Sequence, residues 1–412
     1  MIVMHESDVS CPPLAMDIIM EVFDRANHQG LEPINFGKGI SSFNPFDHVD
    51  VNLDSVLLGH HVGYGNINGI NSLRQAICRY YQEKFDYDLS PDRVCITNGA
   101  SGALTLAFAM LLNKGDEIIL SEACYPAYNV LAKIFGVNCR LAPMGDDYCI
   151  DIEQLPHQIS NRTKAIVINS PSNPYGTFLQ DHQLEAIANL GVPVIFDEVY
   201  QALPLNDEPI PSAIGFSDRH LIISSLSKSL AIAGVRVGYL IVPESQVELM
   251  TNVKAVLNMC TSLPSQLIAE NLIQHWDELV SKHRYLLRYN WLLFERTAKR
   301  LGLKLRTHPQ AGFFALVDVA EAEQDAMELS LHLAQNYALS STPGIDFHEH
   351  DHAFLRLNFA CPGHQIETGL TRLAGYVLGS ELSLQQPGRK SGAVNASHGA
   401  KNLGQKSYIE SK

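Results

Sequence analysis

A chain of 412 residues, 46% hydrophobic and 18% charged, is long enough to bury more than one core, and its formal net charge of −14 argues against a nucleic-acid-binding surface. No apolar run reaches the roughly 18 to 20 residues a membrane helix needs, and the first residues lack a basic region leading into an apolar one; the expectation is a cytoplasmic protein with neither membrane nor nucleic acid as partner. The eight cysteines, at 11, 78, 95, 124, 139, 149, 260 and 361, form no Cys-x-x-Cys pair, which argues against a zinc site or a disulfide framework.

In chain order, residues 14–27 carry apolar side chains at helical spacing and run into Gly30. A short strand-like stretch, 34–40, follows; its Gly37 and Gly39 fit either a close backbone approach or a plain turn. After a loop at 58–70, an apolar stripe predicts a helix over 70–85. The run 93–97 predicts a strand that breaks at Asn98-Gly99-Ala100-Ser101-Gly102 and continues as a helix over 103–112. Strand, tight turn and helix in that order expose backbone N–H groups at the positive end of a helix dipole, a seat for phosphate, although the turn is neither GxGxxG nor a Walker loop.

From there strands and helices alternate: strand 117–120, helix 125–135, strand 138–142, short helix 152–159, strand 165–169, helix 180–190, then strands 193–196, 221–224 and 237–242. Strands rich in Val and Ile on both faces, separated by helices, predict a mostly parallel sheet covered on both sides, with ligands gathering at the strands' carboxyl ends. Those ends carry Asn169 through Gly176, Asp197 through Tyr200, and Ser225 through Lys228. Lysine is rarely buried without a partner, so Lys228 between two apolar runs suggests an amine kept for chemistry. Long helical segments fill 244–301. A compact section follows, with a strand at 312–317, a helix at 323–335, a strand at 353–359 holding Arg356, and a last helix at 365–378. A cation within a strand calls for an anionic partner. Beyond about residue 385 the composition turns to Gly, Ser, Asn, Lys and Gln, a flexible tail.

Taken together, the Tyr64-Gly65 loop, Asn98 to Gly102, Tyr125-Pro126, Asn173-Pro174, Asp197-x-x-Tyr200, Ser225-x-x-Lys228, Arg236 and Arg356 form an ordered set. Over roughly 34–378 the chain resembles the class I/II aminotransferases, pyridoxal-phosphate (PLP) enzymes of fold type I. The resemblance implies an α/β fold: a large PLP-binding domain at 47–290 around a mostly parallel seven-stranded sheet, and a smaller α+β domain from 13–46 and 291–384, with 385–412 as tail. It implies a homodimer whose active sites are shared, and a small-molecule amino acid as substrate.

Residue by residue, the resemblance implies that Lys228 forms the Schiff base with the cofactor and later moves the substrate proton. Asp197 would pair with the pyridine nitrogen, Asn173 and Tyr200 would hydrogen-bond the ring's phenolic oxygen, and Tyr125 would stack on the ring. Ala100, Ser101, Ser225, Ser227 and Arg236 would hold the phosphate, joined by Tyr64 from the neighbouring subunit. Arg356 would hold the substrate α-carboxylate, with Gly39 and Asn173 close by. The implied reaction is transamination through aldimine and pyridoxamine intermediates; the alternative is a PLP-dependent lyase or cyclase, which the same residues would serve. Tyr175, where relatives often carry threonine, is expected near the cofactor mouth. His60, His61 and the stretch His348-Glu349-His350-Asp351-His352 depart from the family pattern, and the latter reads as a solvated loop rather than a metal site.

Overall fold

The computed structural model describes residues 13–28, 30–51, 63–322, 325–348 and 350–379. The expected tail at 385–412, His60, His61, Glu349 and the first two residues of the helix predicted at 323–335 lie outside them.

Seven strands build the central sheet: β2 (Val94–Asn98), β3 (Glu117–Ser121), β4 (Asn138–Ala142), β5 (Thr163–Asn169), β6 (Val194–Asp197), β7 (Leu221–Ser225) and β8 (Val237–Ile241). Their spatial order is β2-β8-β7-β6-β5-β3-β4, and only β8 runs against its neighbours. Ile166, Ile168 and Phe196 pack on one face and Ala165, Val167 and Ile195 on the other, each within its own buried cluster. That two-sided burial is why these strands read as continuous apolar runs. Register then sets the chemistry: Asn169 sits opposite Asp197, and Ser225 opposite Gly238, so the strand ends present their polar residues side by side.

The smaller part holds an antiparallel sheet of β9 (Phe314–Asp318), β11 (Thr342–Pro343) and β12 (Phe354–Asn358), with β12 central. Beside it β1 (Ile34–Asn35) pairs in parallel with β10 (Leu339–Ser340), which ties the N-terminal segment to the C-terminal third. Helices Ala326–Asn336 and Gly363–Val377 close a second apolar core around Phe294, Leu329, Leu357 and Leu370. The 26-residue helix Trp276–Leu301 contributes to both cores, through Leu279 and Val280 in one and Leu287, Trp291 and Phe294 in the other. Among the described residues no helix is long and apolar enough to cross a membrane.

Several elements differ from the sequence reading. The helix expected at 103–112 begins at Gly99, because Gly99 takes a left-handed φ of +68° and lets the chain turn straight from β2 into the helix. The strand-like entry at 34–40 is two residues of strand, β1, followed by loop, whereas the stretch expected as a helix at 152–159 is a turn followed by a 3-10 segment, Leu155–Gln158, with proline in its first turn. The two-residue strands β10 and β11 escaped sequence reading because neither is long enough to show alternation.

Candidate active site

Ser225 ends β7 and caps the single helical turn Leu226–Ser229 by accepting from the Ser227 N–H at 3.1 Å, while its hydroxyl donates to the Val237 carbonyl at 3.0 Å. That turn carries Lys228 into a cavity of about 450 Å³. The Lys228 Nζ donates to the Gly39 carbonyl at 2.7 Å. Burial, with the nearby Arg356 and Arg236 cations, lowers its pKa to about 8. A side chain at position 39 would lie 3.0 Å from the Phe314 ring and 3.4 Å from that amine, so the approach depends on glycine.

Asp197 at the end of β6 is buried and accepts from the Tyr128 hydroxyl at 2.7 Å and, through its other oxygen, from the Val199 N–H at 3.3 Å. Burial outweighs these bonds and raises the carboxyl pKa to about 6. Its neighbour Glu198 instead accepts from the Ser212 hydroxyl and the Ala213 N–H, holding the next segment in place. Tyr128 is the site residue that sequence reading missed. The signal was there: it lies three positions after Tyr125 at a helix start, and the two rings meet edge to face at 5.6 Å.

One end of the cavity is made by the first turn of Gly99–Leu111, where Ala100 and Ser101 line the wall. The first N–H groups of an α-helix have no partner within it and point outward. Arg236, at a left-handed φ of +62°, spans this end with Nη1 on the Ala233 carbonyl (3.0 Å) and Nη2 on the Asn98 carbonyl (3.3 Å). Gly238 lets β8 lie against the helix start: a Cβ there would come within 2.4 Å of the Gly99 carbonyl carbon. The buried Ser227 hydroxyl has no hydrogen-bond partner among the described residues. Backbone donors, an arginine and an orphaned hydroxyl together match a phosphate, and with an amine and a buried carboxylate beyond, the residues present fit PLP.

The other end belongs to Arg356 on β12, 4% exposed. Its guanidinium donates to Asn173 Oδ1 (2.9 Å), the Gly37 carbonyl (2.8 Å) and Thr342 Oγ1 (3.1 Å), while Nε is buried with no partner among the described residues. It lies 4.0 Å from the centre of the Phe314 ring. No carboxylate among the described residues pairs with it, and burial lowers its pKa to about 10. Tyr200 packs edge to face on Phe313 and Phe314, and burial raises its hydroxyl pKa.

The cavity thus brings together Gly39, Ala100, Ser101, Tyr125, Asn173, Asp197, Tyr200, Ser225, Ser227, Lys228, Arg236 and Arg356. Tyr64 is not among them: within one chain it is 85% exposed. Tyr175 corrects an expectation, since its ring turns away from the cavity into an apolar cluster with Phe347 and Phe354 and stacks on Tyr148 at 4.8 Å. The His348 ring accepts from the His350 and Asp351 N–H groups, and Asp351 pairs with Arg306 at 2.6 Å, so this loop is tied down locally.

Residues 32–373 match the family model described as aminotransferase class I and II. The chain is 29% identical to the aspartate aminotransferase of Thermotoga maritima, across 85% of this chain and 92% of that protein. It is 27% identical to the (5-formylfuran-3-yl)methyl phosphate transaminase of Methanocaldococcus jannaschii, across 87% and 95%. Its fold superimposes on the crystal structure of an aminotransferase from Mycobacterium tuberculosis with a TM-score of 0.84 and 25% identity, covering 92% of this chain and 100% of that one.

Proposed function

Because the chain belongs to the class I and II aminotransferases and is a PLP-dependent enzyme of fold type I, we propose that the cavity between its two parts is where an amino acid surrenders its amino group, with Lys228 as the cofactor-bearing and proton-moving residue. The observation that carries this reading is the convergence of an amine, a buried carboxylate and a buried unpaired guanidinium, Lys228, Asp197 and Arg356, on one cavity. PLP, when bound, supplies an electron-withdrawing ring that makes the substrate Cα–H acidic. The chain's own residues do the rest. With its pKa near 8, Lys228 keeps a usable neutral fraction at physiological pH, the form that attacks an aldehyde and accepts a proton. Capture of PLP by the cofactor-free protein therefore accelerates with pH up to about 8 and levels off above, as a stopped-flow pH series would read.

Asp197, oriented by Tyr128, would hold a proton on the ring nitrogen. Asn173 and Tyr200 would hold the ring's oxygen, and Tyr125 would cover its face. The Ala100 and Ser101 N–H groups, the hydroxyls of Ser101, Ser225 and Ser227, and Arg236 would take the phosphate. Arg356 would hold the α-carboxylate, and Gly39 would leave room beside it. An anion entering there meets a guanidinium already stripped of water, where charge-assisted bonds are strong. The same reading makes the protein a homodimer in which Tyr64, exposed in the single chain, completes the neighbour's phosphate site. It divides the chain into 47–290 and 13–46 with 291–384. The free thiols of the seven described cysteines fit a reducing cytoplasm.

The elimination or cyclisation alternative draws no support from the related proteins. Mixing the PLP-loaded protein with a panel of amino acids, without oxo acid, should convert the cofactor absorbance to that of its amine form. Release of ammonia in its place would favour elimination. Lys228→Ala should lose the lysine-linked absorbance altogether.

A further inference from the structure

His283 does not line the cavity. It sits on the helix Trp276–Leu301, fully buried, yet it reaches both segments that set the position of Lys228. Its Nδ1 is 2.9 Å from the carbonyl of Ser229, the residue after Lys228, and its Nε2 is 2.9 Å from the hydroxyl of Ser41, two residues after Gly39. A carbonyl only accepts, so Nδ1 carries the ring proton and Nε2 is left as acceptor for the Ser41 hydroxyl. Ser41 Oγ in turn accepts the Phe43 N–H at 3.1 Å, and the Phe43 ring lies flat against the imidazole, 4.8 Å between centres and 13° from parallel. Every polar atom of this relay is satisfied only with a neutral ring. The same loop is also held by Asn358, whose amide donates to the Lys38 and Ile40 carbonyls at 2.7 Å each. Gly39, whose carbonyl accepts from Lys228 Nζ, lies between the two residues that Asn358 holds and two residues before the serine that His283 holds.

We propose that His283 is a positioning residue: it locks the 37–43 loop to the turn behind Lys228, so that the Gly39 carbonyl holds the lysine amine at the point from which it captures the cofactor and moves the substrate proton. This rests on the reading of Lys228 as the cofactor-bearing residue. An amine held by one acceptor keeps its lone pair aimed, and a displacement of about 1 Å in such a group costs a large rate factor. His283 also lies on the helix that runs through both cores, so the relay joins the loop of the smaller part to the sheet end of the larger one.

The test compares His283→Leu, His283→Gln and Ser41→Ala. The readouts are the rate at which cofactor-free protein captures PLP, followed by absorbance, and the single-turnover rate and half-saturating concentration of the loaded protein with an amino acid. His283→Leu should slow both rates by about tenfold with half-saturation unchanged. His283→Gln, which offers one donor and one acceptor, should return both rates to within about twofold. Ser41→Ala, which removes the His283 bond and the Phe43 N–H bond to the same oxygen while leaving the His283 ring in place, should slow both by about threefold. The proposal is overturned if Ser41→Ala matches the parent protein, or if the glutamine and leucine variants are equally slow. Should His283→Leu not fold, the serine and glutamine variants decide. A Lys228→Ala protein that retained the lysine-linked absorbance would instead overturn the underlying reading of the site.

Discussion

Two arginines face one cavity from opposite ends, and they are built in opposite ways. Arg236 is largely exposed, held by carbonyls only three residues away and at the neighbouring strand end, and set beside a helix start that is already electropositive. Arg356 is buried, faces aromatic rings, and bonds to Asn173, 183 positions away in the chain, and to Gly37, 319 positions away. A solvated guanidinium is suited to steering a phosphate onto donors that do most of the binding. A desolvated one stores a large unmet demand for an anion, so it recognises a carboxylate strongly. On the proposed reading, the difference teaches that the end meant for the cofactor is a local construction of one sheet, whereas the end meant for the substrate exists only once both parts have packed.

Breaking the desolvated end should have the larger effect. Arg356→Gln should lower kcat/KM for the amino acid by roughly a hundred- to a thousandfold, mostly through KM, while PLP affinity stays near that of the parent. Comparable losses in both would erase the distinction between the two ends. Arg236→Gln should act in the reverse sense, weakening PLP by about ten- to thirtyfold in equilibrium titration with little change in amino-acid KM. Ser227→Ala sharpens the contrast at the smallest scale. The buried hydroxyl lacks a partner, so removing it should leave the cofactor-free protein as stable or up to about 1 kcal/mol more stable in thermal unfolding, yet weaken PLP by about threefold. A loss of stability without cofactor would mean that the hydroxyl serves the fold instead.

Legibility follows the same divide. The strand ends could be read because short apolar runs bounded by turn residues locate them, and a parallel sheet brings the carboxyl ends with Asn169, Asp197 and Ser225 to one edge. Helical spacing from Tyr125 marked Tyr128 as a neighbour, but not its bond to Asp197, 69 positions away. His283 was not: nothing in the helix Trp276–Leu301 separates it from other part-apolar positions, and its partners Ser41 and Ser229 lie 242 and 54 residues away. Tyr175 was misjudged because adjacency to Asn173 says nothing about which way a ring turns, and the apolar cluster around Phe354 decided that.

By itself, then, the sequence determined the alternation of strands and helices, the mostly parallel sheet, and the order in which aspartate, lysine and arginine would arrive at its edge, since each follows from apolar runs and turn residues only a few positions long. Tertiary structure alone decided which carbonyl the Lys228 amine rests on, which hydroxyl orients Asp197, and that Arg356 is sealed away without a carboxylate. Those outcomes depend on burial and on pairings between residues 69 to 189 positions apart. Local spacing cannot encode them.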